Sequence, residues 1–388
     1  MIEIKHLDVV FGPQPQQALA LLDQGLEREQ VRAQSGSLVA VKDASLTVKR
    51  GEICVLMGLS GSGKSSLLRC INGLNPVARG SVNIEHNGEM LDFVGADEQT
   101  KRDIRMRRIS MVFQKFALMP WLTVEENVAM PLELQGLPKA EIKRRVSEQL
   151  DVVGLSEWRK LKPGKLSGGM QQRVGLARAL AIESDILLMD EPFSALDPLI
   201  RTQLQDELLQ LQEKLKKTII FVSHDLDEAL KLGSHIAIMK DGEIVQHGKP
   251  ESIVLNPAND YVRDFVAHTN PLNVLRAGSI MRELADMPQQ ERGYCLSKRH
   301  DYWLSTDGNK VQVKDQTFAV QCWQQGDDIS ALQQIPTRVG ARTAMRDVME
   351  IRYHTGHSVL VGDEQAISGV VGDKELYHTL LGKMMSDD

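Results

Sequence analysis

The sequence predicts an α/β fold with a parallel sheet buried on both faces, followed by a smaller α+β domain. Three observations carry that expectation. Short apolar runs at Ile109–Phe113, Ile186–Met189 and Thr218–Val222 each lie beside helical or turn segments; uninterrupted runs of this length belong to strands covered on both sides. A strand-like run, Glu52–Gly58, passes through a glycine-rich loop into the helix-compatible stretch Lys64–Asn72. The length, 388 residues, makes two to three domains at roughly 150 residues each.

Taken in order, the chain opens with an apolar strand and then a segment, Pro13–Gly36, rich in Gln, Ala, Leu and Glu. That composition reads as a polar, partly helical insertion. Residues 40–57 are two strand-like runs broken by the basic turn Lys49-Arg50-Gly51. A long helical stretch at about 124–180 is punctuated by Pro131, Pro138 and Pro163, which bounds a helical subdomain at about 115–180. Residues 235–248 read as two short strands around Asp241-Gly242, a strong hairpin signal. Asn256-Pro257 and Asn270-Pro271 mark the approach to a boundary near 270, so the expected domains are 1–270 and 271–388. In the second, 343–382 has the order helix, strand, strand, helix.

Composition excludes several classes. Hydrophobic residues are 42% and charged residues 25%, ordinary for folded protein, so disorder, collagen and coiled coil are out for most of the chain. No run approaches the ~20 apolar residues of a membrane span, and the first ten residues lack the basic start and apolar run of a signal peptide. The formal charge of −6 argues against a dedicated nucleic-acid binder. Cys54, Cys70, Cys295 and Cys322 lie far apart with no CxxC spacing, which reads as buried thiols in a reducing, intracellular compartment.

Gly58-Leu59-Ser60-Gly61-Ser62-Gly63-Lys64-Ser65 fits the P-loop pattern, with Ser66 next in the helix it opens. Glycines let the backbone wrap a phosphate chain with its N–H groups inward. Lys64 then reaches the β/γ-phosphates and Ser65 ligates Mg²⁺. The context excludes a mere Gly/Ser linker, because the loop follows a strand and starts a helix. Ile186–Met189 ends in Asp190-Glu191, and α/β sheets bind ligands at the carboxyl ends of their strands. Asp190 is placed to hold Mg²⁺, directly or through water, and Glu191 to polarise an attacking water. Ser167-Gly168-Gly169, at the start of a helix, offers unpaired N–H groups and the positive end of a helix dipole.

P-loop, Leu166–Met170 (LSGGM), ILLMDE, Ser194-Ala195-Leu196-Asp197 and the strand-ending His224, in this order, resemble the ATP-binding subunit of ABC transporters over about residues 1–268. The resemblance implies ATP and Mg²⁺ as cofactors and two copies facing head to tail. Each nucleotide would lie between one copy's P-loop and the other's signature turn, so Ser167, Gly168 and Gly169 would act in trans. Gln114 matches the glutamine linking the Mg²⁺/water site to the transmembrane partner, His224 the histidine that touches the γ-phosphate, and Asp197 the aspartate at the dimer seam. Phe11 sits where the family places an aromatic ring on adenine; a core role for a strand-ending Phe stands beside that reading. Phe116–Trp121 would lie near the groove that receives the permease's coupling helix, or pack as helical-domain core.

The insertion at 14–36, with MGLSGSGKSSLLRCINGL, FALMPWLTVEENVAMPLEL and MDEPFSALDPLIRTQLQDEL, narrows the resemblance to glycine betaine/proline/choline importer subunits. The implied protein is a peripheral ATPase on the cytoplasmic face of the inner membrane. It would work with integral permease subunits, indirectly with a substrate-binding protein, and without nucleic acid. Residues 343–382 resemble the second half of a CBS-domain pair, while 276–336 matches poorly. Gly372 stands before Asp373 where nucleotide-binding CBS modules carry a hydroxyl residue, so regulation and plain dimerisation both remain open. Rival readings are an ABC-type ATPase acting on DNA or ribosomes, an importer ATPase for another solute, and a P-loop kinase. A single motif set and about 100 residues between Ser65 and Ser167 disfavour the first; a kinase leaves LSGGM and His224 unexplained.

Overall fold

The computed structural model describes residues 1–380 apart from 87, 268–269, 271, 273, 298–299 and 364–365. It divides into two compact units, Met1–Pro250 and Glu251–Asp388. The expected boundary near 270 falls inside the second unit, and Pro271 lies outside the described residues.

In the first unit a six-stranded sheet runs in the order Glu243–Gly248, His235–Lys240, Ile53–Met57, Thr218–Val222, Ile186–Asp190 and Ile109–Val112. The last five strands are parallel. Ile53–Met57, Ile186–Asp190 and Thr218–Val222 are buried at every position, which is why the sequence shows uninterrupted apolar runs instead of alternation. The hairpin strand Glu243–Gly248 is antiparallel, joined through Asp241 (φ 49°) and Gly242 (φ 88°). Two left-handed residues in succession give a turn matched to the strands' twist.

A second, antiparallel sheet orders Leu38–Val48, Ile2–Phe11, Arg79–His86 and Glu89–Asp92. The insertion folds as helices Pro15–Asp23 and Arg28–Ser35. Ala18, Leu19, Leu22 and Val31 pack with Val10 and Val39 into a small core of their own. The polar composition therefore hides a conventional amphipathic pair. The helical subdomain holds Val124–Leu134, Lys139–Val152 and Gly168–Ala181. Thr123 starts the first with a reciprocal cap: its Oγ1 accepts from the Glu126 N–H and its own N–H donates to Glu126.

The second unit has two five-stranded sheets. One orders Arg282–Glu283, Ile367–Val371, Val359–Gly362, Thr337–Val339 and Gln321–Cys322. With helices Met345–Thr355 and Asp373–Leu380 it gives the expected order, though 381–382 lie outside the described residues. The other is an antiparallel meander, Gln289–Gln290, Gly293–Ser297, Tyr302–Leu304, Lys310–Val313 and Gln316–Ala319. It occupies much of the stretch that matched poorly in sequence. Leu296, Leu304 and Val311 of the meander share a core with Leu360 and Val370 of the other sheet.

Among the described residues no helix is long and apolar enough to cross a membrane. The four cysteines form no disulfide; Cys54, Cys70 and Cys295 are buried and Cys322 is exposed.

Candidate active site

The glycine-rich loop has the shape its residues dictate. A Cβ on Gly58 (φ 139°) would come within 2.1 Å of the Met239 carbonyl oxygen, and one on Gly63 (φ 100°) within 2.3 Å of Ala40 O. Glycine is required at both places for close backbone approach as well as for φ. Gly61 (φ 80°) faces open space, and Ser60 beside it is exposed. The hairpin turn braces the loop from behind, the Gly242 N–H donating to Ser62 O at 3.1 Å. Lys64 folds back and donates to the carbonyls of Gly58 and Leu59, both at 2.8 Å, and to Ser62 Oγ at 3.4 Å. Burial holds its pKa below the usual lysine value, while Glu191 and Asp190 pull it the other way. Ser66 is half-buried, its carbonyl accepting from Asn75.

Asp190, fully buried at the end of its strand, accepts from Ser65 Oγ at 2.7 Å and from Arg69 Nη2 at 2.7 Å. The structure thus brings Ser65 and Asp190 together, and adds a guanidinium that sequence reasoning missed. Glu191 follows at φ 50°, in the left-handed region that a glutamate seldom occupies. Its N–H donates to Val222 O at 3.2 Å, and its carbonyl accepts from Gln172 Nε2 at 3.0 Å and Ser194 Oγ at 3.1 Å. That turn aims the carboxylate at Gln114, whose Nε2 donates to Oε2 at 3.0 Å, and at His224, whose Nδ1 is 3.8 Å away.

Glu191, Ser194, Arg201, Ser223, His224, Asp225 and Glu228 line one small polar pocket. His224 is largely exposed there. Behind it, the Ser223 hydroxyl donates to the buried Glu228 carboxylate at 2.7 Å and accepts from the Asp225 N–H at 3.0 Å. Burial pushes the Glu228 carboxyl above its ordinary value. Asp197 caps helix Pro198–Leu215 by accepting from Ile200 N–H at 3.1 Å.

The signature turn is built differently. Ser167 Oγ accepts from the Met170 N–H at 3.3 Å, capping its own helix. Ser167 and Gly168 are exposed. Gly169 lies against the Ala195 carbonyl, 3.2 Å from where its Cβ would be. The polar contacts of this turn run within its own segment rather than to the P-loop of the same chain. Phe11 is half-buried, pairs with Leu38 across the strands and packs on the main core, so the structure places it in core packing at the strand end. Glu228 had no motif to announce it, and Gln172, which follows the signature turn in LSGGMQQR, had no role assigned; the sequence signal of both is a polar residue at a helical position.

The arrangement supplies what hydrolysis of a phosphoanhydride needs. A backbone cradle and a lysine would meet the phosphates, and a hydroxyl and carboxylate stand together as hard oxygen donors. A second carboxylate accepts from the Gln114 amide and stands 3.8 Å from the His224 ring, where it would orient a water.

A family model described as ABC transporter matches residues 41–194. ProV of Escherichia coli, a glycine betaine/proline betaine transport system ATP-binding protein, is 41% identical, the alignment covering 98% of this chain and 97% of that one. OpuAA of Bacillus subtilis, a glycine betaine transport ATP-binding protein, is 50% identical over 72% of this chain and 66% of its own length. Among solved structures, the ATP-binding cassette MJ0796, dimeric in a post-hydrolysis state with ADP and phosphate bound, is 33% identical. It superposes with a TM-score of 0.55 over 64% of this chain and 99% of that one. Geometry, motif order and end-to-end similarity agree: the chain belongs to the ATP-binding proteins of ABC transporters, the nucleotide-hydrolysing subunits that power transport.

Proposed function

We propose that this chain drives import of a quaternary-amine osmolyte, glycine betaine or choline, as a head-to-tail pair on integral membrane permease subunits. The observation that carries the mechanism is the contrast between a braced P-loop and an exposed signature turn whose Ser167 caps its own helix. Two copies related by a twofold axis would each complete the other's site. The osmolyte is read from the names of ProV and OpuAA and from the helical insertion at 14–36. The subunit would lie on the cytoplasmic face of the membrane and meet a substrate-binding protein only through the permease.

The donor set fits Mg²⁺. Ser65 and Asp190 present hard oxygens 2.7 Å apart, and Gln114 spends its amide nitrogen on Glu191, which leaves its amide oxygen as a third donor. Held by Ser65, Asp190 and Gln114, Mg²⁺ would supply positive charge against the charge that develops on the phosphates. Lys64 gives up the carbonyls of Gly58 and Leu59 to meet the phosphates. Glu191 orients the water, Gln114 keeps Glu191 in place, and His224 contacts the γ-phosphate. The second unit, with 343–380 in the order of half a CBS pair, acts as a degenerate CBS-like domain for regulation or dimerisation.

Mixing two inactive variants tests the shared site. Lys64→Ala loses the phosphate charge and Ser167→Arg blocks the trans turn. In mixed dimers one of the two sites is intact, so ATPase activity returns in part. No return despite demonstrated mixed dimers is the result against shared, independently acting sites. Uptake of labelled glycine betaine and choline by vesicles carrying the assembled transporter identifies the solute; transport of neither removes the osmolyte assignment.

A further inference from the structure

The signature helix Gly168–Ala181 is buried along most of its length, yet one face of it is not apolar. Gln172, Gly175 and Arg178 recur every three residues along it, and each meets backbone from elsewhere in the core. Gln172 Nε2 donates to Glu191 O at 3.0 Å, and its Oε1 accepts from the Ala195 N–H at 3.2 Å. A Cβ on Gly175 would lie 3.7 Å from Phe116 O. Arg178 donates to Phe116 O at 2.9 Å and to Ala117 O at 2.6 Å.

Those two carbonyls belong to an unusual turn. Phe116 (φ 59°) and Ala117 (φ 47°) are both left-handed without being glycine, a conformation that persists only where the surroundings impose it. Arg178 is 7% exposed, and among the described residues it makes no ion pair. A buried guanidinium satisfied only by carbonyls is an expensive way to fill space. Its planar fork, however, suits two oxygens held side by side. On the far side of the loop, Asn127 at 0% exposure accepts from the Met119 N–H at 2.8 Å and donates to Met119 O at 3.2 Å. The loop is therefore clamped at both ends, two residues after Gln114 and at its return to the helical subdomain.

We propose that Arg178 is a positioning residue for hydrolysis: it locks the Phe116–Ala117 turn to the signature helix, so that Gln114 and the signature turn shift together. Gln172 ties the same helix to the backbone of Glu191, and one rigid element thereby reads both ends of the site. The inference rests on the assignment of Gln114 and Glu191 to hydrolysis.

Steady-state kinetics of the full-length chain test it with Arg178→Lys, Gln114→Ala and the double variant. Lysine keeps the charge but loses the fork. Expected for Arg178→Lys is a kcat lower by about fivefold or more with the KM for ATP within about twofold, because the P-loop is untouched. Gln114→Ala lowers kcat by about tenfold, and the double variant falls no further than Gln114→Ala alone. Multiplying losses, or an unchanged kcat in Arg178→Lys, overturn the link while leaving the site assignment standing. A silent Gln114→Ala overturns the assignment itself and the link with it. Should Arg178→Lys fail to fold, Ala117→Gly carries the same test, since glycine relieves the strain at φ 47° while freeing the turn. Its kcat falls, non-additively with Gln114→Ala; an unchanged kcat overturns the proposal.

Discussion

Glu191 shows how one backbone angle serves chemistry. Its left-handed φ of 50° turns the carboxylate away from the sheet and toward Gln114 and His224. Glutamine at the same position keeps the size and a hydrogen bond but loses the charge that orients water. For Glu191→Gln we expect ATP still to bind, turnover to fall by at least ~100-fold, and an ATP-bound dimer to accumulate in size-exclusion chromatography. Hydrolysis near the wild-type rate would remove Glu191 from its role. The P-loop glycines separate two costs. Gly58→Ala drives a Cβ to 2.1 Å from a backbone carbonyl, so denaturant unfolding should show a loss of ~3 kcal/mol or more. Gly61→Ala meets only its φ of 80° in open space and should lose about 1 kcal/mol. Equal losses would refute the steric account. Glu228 offers a pH test. Burial raises its carboxyl above 4.5, so the folded state binds this proton more tightly than the unfolded chain. The stability contributed by that proton is present below 4.5 and is lost as pH rises through the folded-state value. Glu228→Gln abolishes the dependence and preserves an acceptor for Ser223. The melting temperature of the variant minus that of the wild type should therefore grow as pH climbs from about 4.5. A pH-independent difference would mean that Glu228 does not titrate in this way.

Among elements, the P-loop helix Lys64–Ile71 and the strand Ile186–Asp190 are joined by the bonds of Ser65 and Arg69 to one carboxylate. Arg69→Gln leaves the fully buried Asp190 with a single charge-matched contact fewer. Because Arg69 is partly exposed, solvent makes up some of the loss, and we expect about 1–2 kcal/mol in unfolding free energy. An unaltered stability would show that water already satisfies Asp190. Gly58, Gly63, Lys64 and Ser65 were legible in the sequence because they stand at fixed spacing in one short motif whose backbone angles favour glycine, although the contacts that forbid a Cβ at Gly58 and Gly63 come from Met239 and Ala40. The three fully buried strands and the Asp241-Gly242 hairpin were likewise legible. Arg178 was not legible, since its partners are carbonyls 61 and 62 positions away, and a carbonyl has no letter in the sequence; Gln172 stands in the signature run, but its bond to the Glu191 carbonyl, 19 positions away, is equally unwritten there. The meander at 289–319 escaped for another reason. Its strands are two to five residues long, too short for alternation to rise above chance. The insertion was legible as partly helical, and its helices are Pro15–Asp23 and Arg28–Ser35; the small core they form with Val10 and Val39 was not.

Across the whole molecule, every residue that would handle phosphate lies within Met1–Pro250. A truncated chain ending at residue 270 is expected to fold and bind ATP, with cooperative unfolding and a nucleotide-dependent rise in melting temperature. Failure to bind would make the second unit part of the site's support. What truncation should change is the response of transport to ionic strength, or the association of subunits. In the second unit Arg352 donates to Asp373 at 2.9 Å and the Gly372 N–H to the buried Glu375 at 2.8 Å. Asp373 thus has an arginine partner, and Gly372 stands where a hydroxyl residue would be needed beside it. Calorimetry of 251–388 should find no micromolar adenine nucleotide; a stoichiometric complex would reinstate a nucleotide sensor. The distribution of the thiols has a practical sequel. Burial drives the pKa of Cys54 and Cys70 up to about 12, and a thiol without its thiolate is a poor nucleophile, while Cys322 alone of the four is exposed. Maleimide should therefore tag the native chain once, on the second unit, giving a fluorescent reporter of that unit's movement with no residue replaced.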